Sequence, residues 1–289
     1  MKLRTSAVFI RFLVCFYDEM TKKNRLDVHL LTKGLAESRE KAQKLIRAGK
    51  VRDLAGNIFD KPGQQVLKDL DFKVESDPKF VSRGGERLEA ALDKFPIKIS
   101  DRVCLDAGIS TGGFTDCLLQ RGASLVYGID VGYGQTAWSL RNDSRVVLRE
   151  RTNIRNLRSE DLYNSSQPRA SFAVADLSFI SLRLVLPAIK SLLDTSNQEA
   201  VLLVKPQFEV GRDRVGKGGV VREEKFHLEA LTTVIDFARL QKWIIKGLIA
   251  SPLTGPAGNH EYLLWIGTNS IEQTLDLKKL VKSTLQLKC

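Results

Sequence analysis

Cysteine and histidine are scarce in this chain, at four and three of 289 residues. Cys15, Cys104, Cys117 and Cys289 form no C-x-x-C pair and have no histidine at zinc-ligand spacing, so neither a metal site nor a disulfide framework follows. Cys104 falls in a strand-like apolar run and Cys117 in a helical one. Both read as small core residues of a protein in a reducing, cytoplasmic setting. A long apolar run is also missing. The stretch Phe12 to Phe16, framed by Lys2, Arg4 and Arg11, is too short to span a bilayer, and no small-x-small cleavage site follows it. No stable membrane association is expected. Acid is absent before Asp18, which allows an organellar targeting segment, but Met20 is an alternative start and residues 1–19 read best as an extension. The G-x-G-x-x-G signature is absent too, which argues against a dinucleotide oxidoreductase.

Negative charge is in deficit, and the deficit is local. The formal net charge is +11, and the segment from Thr21 to Arg52 holds ten Lys/Arg against three Asp/Glu. More than half of the excess thus sits in about a ninth of the chain, the electrostatic footprint of a phosphate-binding surface. The plainer alternative is a solvated basic helix face. Leu26 and Leu30 lie one helical turn apart with Gly34 beyond them. Ser38 is placed as N-cap of a second helix that runs to about Ala48, before Gly49. On that helix Ala42, Leu45 and Ile46 form the stripe to bury, and Arg39, Lys44 and Arg47 fall on the adjoining arc. Val51, Ile58 and Val66 lie in short β-like pieces. The expectation is two short helices followed by a small sheet, a compact RNA-binding module over 20–70. The polar segment 71–81, with Pro78, reads as the linker.

The most informative run is Leu105-Asp106-Ala107-Gly108-Ile109-Ser110-Thr111-Gly112-Gly113-Phe114-Thr115-Asp116. It sets an acid at a strand end and a glycine-dense turn before a helix, which suits a nucleotide-like ligand because glycine lets backbone N–H groups approach it. The D-x-G-x-x-x-G-G spacing reads as a pocket for S-adenosyl-L-methionine. Strand patterns then recur at Arg102–Asp106, Leu125–Asp130, Val146–Leu148, Phe172–Asp176, Val201–Lys205, Ile244–Ala250 and Tyr262–Ile266. Helical stretches separate most of them, which predicts an α/β, Rossmann-like domain with a mostly parallel sheet of seven strands covered on both faces.

Ligands bind such sheets at the carboxyl ends of the strands. Asp106 and Asp130 end the first two strands, and Asp130 is spaced to accept from ribose hydroxyls. Asp176 ends the fourth strand and Lys205 the fifth. The link Ser251 to His260 is too short for a crossover helix, so the last strand should run antiparallel and begin, with Glu261, at the same edge. Three charges that interrupt apolar strand ends are either a solvated ion-pair network or a reactive centre. Weaker signals are the glycine-rich basic stretch Gly211 to Gly219, a lid or a flexible link, and Tyr133, near the ligand or packed. His29 and His227 read as ordinary helix residues, and His260 is notable only for its neighbour Glu261.

From Met20 onward the chain resembles the TlyA-type (haemolysin-A-like) ribosomal RNA methyltransferases. The residues that carry the resemblance are Arg25-Leu26-Asp27, Ser38-Arg39-Glu40-Lys41-Ala42, Ser82-Arg83-Gly84-Gly85, the Asp106–Asp116 run and Asp130-Val131-Gly132-Tyr133-Gly134-Gln135. Further along are Glu150-Arg151-Thr152-Asn153, Asp176-Leu177-Ser178-Phe179-Ile180-Ser181, Lys205-Pro206-Gln207-Phe208-Glu209 and Gly258-Asn259-His260-Glu261. The resemblance implies an S-four-type RNA-binding domain followed by an FtsJ-like methyltransferase domain over 82–289. It implies 2′-O-methylation of cytidine in ribosomal RNA or ribosomal subunits with S-adenosyl-L-methionine. Three members of the family's Lys-Asp-Lys-Glu tetrad fall on Asp176, Lys205 and Glu261, and the first, usually lysine, falls on Arg87. The cofactor residues implied are Asp106, Gly108, Ser110, Thr111, Gly112, Gly113, Phe114, Asp130, Val131 and Gly134, and the RNA-binding residues Arg25, Arg39, Lys41, Lys44, Arg47 and Arg83. Arginine stays charged where lysine can titrate, so a non-catalytic, RNA-binding ribosome assembly factor is the alternative expectation.

Overall fold

The computed structural model describes residues 23–75, 78–269 and 271–286. The extension 1–19, its targeting alternative, Cys15 and Cys289 lie outside the described residues. The chain divides into two units, 1–77 and 78–289.

In the first unit β1 (Lys23–Arg25) leads into α1 (Leu26–Thr32), and α2 (Arg39–Arg47) follows. Ser38 caps α2 as its sequence predicts, with Oγ accepting from the Lys41 N–H at 3.1 Å. Gly34 and Gly49 leave the two helices at φ +69° and +68°, the left-handed turn that suits glycine. Leu26, Leu30, Ala42, Leu45, Ile46, Val51, Val66 and Phe72 close one small core, while Arg39, Lys44 and Arg47 are exposed. The sheet differs from the expected one. It is two antiparallel pairs, β1 with β3 (Gln65–Leu67) and β2 (Val51–Asp53) with β4 (Phe72–Val74), so one strand precedes the helices. The last strand lies inside the stretch expected as linker. Its Phe72 is buried against this core, which a polar-composition reading of 71–81 misses.

The second unit holds α3 (Gly84–Lys94), β5 (Val103–Ala107), α4 (Gly113–Gln120), β6 (Leu125–Ile129), α5 (Trp138–Arg141) and β7 (Val146–Arg149). Then come α6 (Ser159–Leu162), β8 (Phe172–Ala175), α7 (Leu186–Leu192), β9 (Glu199–Val204), α8 (Pro206–Glu209), α9 (Glu224–Leu240), β10 (Ile244–Ala250), β11 (Tyr262–Gly267) and α10 (Leu277–Gln286). One seven-stranded sheet runs in the order β10-β11-β9-β8-β5-β6-β7. β5 to β9 pair in parallel, and β11 is antiparallel to both of its neighbours. Alternate residues face opposite layers. Leu105, Tyr127, Ala173 and Leu202 pack with helices α7 and α9, and Cys104, Val126, Phe172 and Val201 with α3 and α4. Cys104 and Cys117 are buried free thiols in that second layer.

The best-organised polar group of the first unit is Asp27, whose side chain is fully buried. Its carboxylate accepts from Arg25 Nε at 3.1 Å and Nη2 at 3.0 Å, Arg39 Nε at 3.0 Å and Gln43 Nε2 at 2.8 Å. The Arg25 hydrogen bonds hold its carboxyl well below the usual carboxylate range. Asp27→Asn should therefore cost about 1.5–3 kcal/mol at neutral pH, the scale of a hydrogen bond to a charged group. A lowered carboxyl contributes stability above its unfolded pKa and loses it below. Denaturant titrations should show the variant's deficit shrinking as pH falls below the ordinary 3.8.

Candidate active site

The turn after β5 is built so that backbone alone forms its wall. Gly108 (φ +90°) gives its N–H to Ile129 O at 2.8 Å, and a Cβ there would lie 2.7 Å from Asp176 O. Gly112 (φ +101°) caps α4, and a Cβ would strike Leu140 Cδ1 at 2.2 Å. Ser110 (φ +48°) donates its N–H to Asp130 Oδ2 at 2.7 Å, while Gly132 N–H reaches Asp130 Oδ1, also at 2.7 Å. A cavity of about 340 Å³ opens here, lined by Gly108, Ser110, Asp130, Val131, Asn153 and the loop Asp176–Ile180. A smaller recess of about 190 Å³ shares Gly108, Ser110 and Asp176, and adds Ser82, Arg83, Arg87, Thr111, Gly113 and Phe114.

Asp106, expected at the ligand, lines neither space. It is fully buried; Thr115 Oγ1 donates to Oδ2 at 2.7 Å, and Oδ1 has no partner. Burial above all pushes its carboxyl up to about 7, against the Thr115 hydrogen bond and with the charges of Asp176 and Asp130. Gly134 also stands away from the cavity, its N–H given to Glu150 Oε1 at 2.7 Å. Phe114 reaches the recess but is almost wholly core.

At the same carboxyl edge four charged side chains form an open ring, linked in the order Lys205, Asp176, Arg87, Glu261. Lys205 Nζ lies 2.6 Å from Asp176 Oδ1 and 2.9 Å from Ser178 Oγ. Arg87, on α3, lies 3.8 Å from Asp176 and 3.2 Å from Glu261, and its Nη2 donates to Thr254 O at 2.9 Å. Gln207 Nε2 donates to Glu261 Oε1 at 3.4 Å. Arg87, Lys205 and Glu261 are 7%, 8% and 2% exposed, so these charges are largely desolvated and depend on one another. Burial raises the Glu261 carboxyl, opposed by Arg87 and Lys205.

Sequence reasoning missed Ser178, Gln207, Thr254 and Phe179. Gln207 had a signal: Pro206 at the first helical position after Lys205 sets a one-turn helix that brings residue 207 back to the edge. Phe179 is 92% exposed at φ +64°, its ring 5.3 Å from that of Phe208. An exposed aromatic in that strained conformation is the kind of feature that collects at functional sites.

The remaining expectations sort themselves by position. Arg25 and Arg39 point to Asp27 in the first unit, with Lys41, Lys44 and Arg47 exposed on α2. Arg83 is exposed at the lip of the smaller recess. The stretch Gly211 to Gly219 forms a 3-10 turn and a Gly216–Val220 bridge, pinned by Asn259 Nδ2 to Gly219 O at 2.8 Å. His227 is an interior residue, its Nε2 2.9 Å from Val221 O and its Nδ1 3.0 Å from Tyr262 Oη. His29 is likewise buried, with Nε2 2.8 Å from Leu70 O. Among the described residues no His/Cys/Asp/Glu group suits a metal, and no helix is long and apolar enough to cross a membrane.

The profile of the FtsJ-like methyltransferase family matches residues 80–268, and that of the S4 domain residues 24–76. The chain is 47% identical to the 16S/23S rRNA (cytidine-2′-O)-methyltransferase TlyA of Mycobacterium tuberculosis, over 90% of this chain and 96% of that one. The chain belongs to the TlyA-type FtsJ-like methyltransferases. Hemolysin A of Brachyspira hyodysenteriae is 42% identical over 83% of this chain and 98% of its own. A hemolysin-named protein of Streptococcus thermophilus has a matching structure, with a TM-score of 0.68 at 40% identity over 91% of this chain and 95% of that one.

The family's methyl donor is S-adenosyl-L-methionine, and the site fits it. Asp130 and Asp176 both line the cavity, beside a turn whose Gly108, at φ +90°, lets backbone form the wall. A ligand that carries sulfonium and ammonium charges offsets that excess of acid. The raised Asp106 carboxyl also predicts a pH dependence. Its proton favours the fold, so stability is full below the ordinary 3.8 and is lost as pH rises through about 7. Urea unfolding of the cofactor-free protein should show this slope, at most about 1.4 kcal/mol per pH unit, and Asp106→Asn should flatten it.

Proposed function

We propose that the chain methylates the 2′-hydroxyl of a cytidine in ribosomal RNA, with Lys205 nearest the reacting oxygen. The observation that carries this reading is the ring of Lys205, Asp176, Arg87 and Glu261 beside the cofactor cavity. The TlyA relatives named for rRNA cytidine-2′-O methylation support the same substrate.

A ribose hydroxyl is a very weak acid, so attack requires positive charge where the oxygen turns to alkoxide. Lys205 supplies it, held towards the cavity by Asp176 and Ser178. Arg87 brings a planar guanidinium rather than a point charge. Its fork holds Asp176 and Glu261 in place and adds a second positive charge to a site shielded from water. Gly108, Ser110, Asp130 and Val131 would hold S-adenosyl-L-methionine, which would supply an electrophilic methyl group, while the hydroxyl proton passes to the Asp176 carboxylate that lines the same cavity. Phe179, exposed at the mouth of the site, offers a face on which the target base stacks. Arg25 at the end of β1 and the basic face of α2, with Arg39, Lys41, Lys44 and Arg47, meet RNA phosphates, and Arg83 does so beside the site. The ring's buried, mutually paired charges favour catalysis over the assembly-factor reading, because a surface network would leave them hydrated.

Transfer of tritiated methyl to unmodified small subunits, large subunits and whole ribosomes tests this directly. RNA incorporation should fall at least about 100-fold in Lys205→Ala, the scale of losing one transition-state charge contact, with cofactor affinity retained. Phe179→Ala should raise KM for the RNA and leave cofactor binding unchanged. Arg87→Lys should stay within about tenfold of the parent, and Arg87→Ala should fall with Lys205→Ala. No incorporation into any substrate by a protein that binds the cofactor would instead favour the RNA-binding assembly factor.

A further inference from the structure

Of the chain's three tryptophans, Trp243 and Trp265 are buried while Trp138 is 78% exposed. Trp138 opens α5, five residues after Tyr133, which is 65% exposed. The backbone that presents them is tied down. Gly132 N–H is held by Asp130, Gly134 N–H by Glu150, Thr136 Oγ1 donates to Ser110 O at 3.1 Å, and Ala137 N–H to Thr111 O at 3.0 Å. Glu150 is in turn gripped by both terminal nitrogens of Arg141, at 3.1 and 2.5 Å. A loop whose backbone is fixed at so many points, yet leaves two large aromatic side chains in water, is a preorganised contact surface.

Its charge indicates the partner. Arg151, held at φ +53°, lays its guanidinium 4.2 Å from the centroid of the Tyr133 ring, and Arg149 is exposed two residues away at the end of β7. Neither arginine makes an ion pair among the described residues, Glu150 beside Arg151 being paired with Arg141. A tyrosine face backed by an arginine, with an exposed tryptophan on the same loop, matches unpaired nucleotides, whose bases stack and whose phosphates need cations. The position limits which nucleotides. β6 and β7 lie three and four strands from β9, whose end carries Lys205, while the loop is bonded back to Ser110 and Thr111 of the turn after β5, so this face borders the site. Tyr133 and Trp138 line neither the cofactor cavity nor the recess, so the face meets nucleotides beside the one that enters the site.

We propose that Tyr133, Trp138, Arg149 and Arg151 form a second RNA contact that stacks unpaired bases flanking the target nucleotide. The inference rests on the reading of RNA as substrate. The test uses the full chain and an unstructured oligocytidylate, with ribosomal subunits alongside. Because Trp138 is the exposed tryptophan, it dominates the red edge of the emission spectrum. Oligocytidylate should quench that edge by half or more, and Trp138→Phe should abolish the response while keeping RNA affinity near the parent's. Trp138→Ala and Tyr133→Ala should each weaken RNA binding about tenfold, the scale of a lost base–aromatic stack, without changing the Kd for S-adenosyl-L-methionine.

An unquenched Trp138 in a protein that still binds and methylates RNA overturns this contact and leaves the substrate reading standing. Loss of cofactor affinity with RNA affinity intact would make the face part of the cofactor site, and overturns it too. Weaker binding to subunits but not to protein-free RNA would assign the face to a ribosomal protein, again against the proposal. A parent chain that neither binds nor methylates RNA overturns both readings.

Discussion

A lysine ammonium that is nine-tenths buried must recover from its neighbours the hydration it has lost, and in this chain Asp176 does most of that work. The same carboxylate faces Arg87, which faces Glu261, which receives Gln207. Removing any one leaves a charge stranded in a poorly hydrated place, so the four act as a unit. The neighbouring backbone follows from that need. α8 begins at Pro206 so that Lys205 and Gln207 both reach the ring, while Glu209 at its other end accepts from Ser181 Oγ at 2.6 Å and Leu182 N–H at 2.8 Å. One short helix thus clamps the loop that carries Asp176, Ser178 and Phe179.

Sheet topology delivers the pieces. The parallel strands β5, β6, β8 and β9 all end at one edge, where Asp106, Asp130, Asp176 and Lys205 stand in or just beyond their last turns. Antiparallel β11, slotted between β10 and β9, starts at that edge and so places Glu261 beside Lys205. Arg87 comes from outside the sheet, on a helix whose start is packed against the glycine turn: a Cβ at Gly113 would lie 2.8 Å from Gly85 N. The turn that shapes the cofactor cavity therefore also fixes the helix that carries the arginine.

Much of this was legible before any coordinates. The seven strands were readable because apolar runs bounded by charge mark buried strands, and the antiparallel last strand followed from a ten-residue link, Ser251 to His260, too short for a crossover helix. Ser38 as a cap and Ala42, Leu45 and Ile46 as a buried stripe rest on purely local rules. The misses are those where distance in sequence hides distance in space. Phe72 looks like part of a polar connector until Val51–Asp53 pairs with its strand. Thr254 meets Arg87 through its backbone carbonyl, which no side-chain pattern encodes. Asp106 carries the acid of a ligand motif, yet its side chain turns into the interior towards Thr115.

The hemolysin name borne by some relatives has no counterpart in an apolar spanning helix among the described residues, whereas the proposed ribose methylation gives the buried charge ring a direct chemical use. The central claim is that this ring acts on a ribose oxygen rather than on a base. Alkaline hydrolysis of RNA methylated by the parent protein with labelled donor tests it most directly, because a methylated 2′-oxygen blocks cleavage of its own phosphodiester. The label should appear in an alkali-resistant dinucleotide with cytidine on its 5′ side. Label recovered only in single nucleotides would place the methyl on a base and contradict it.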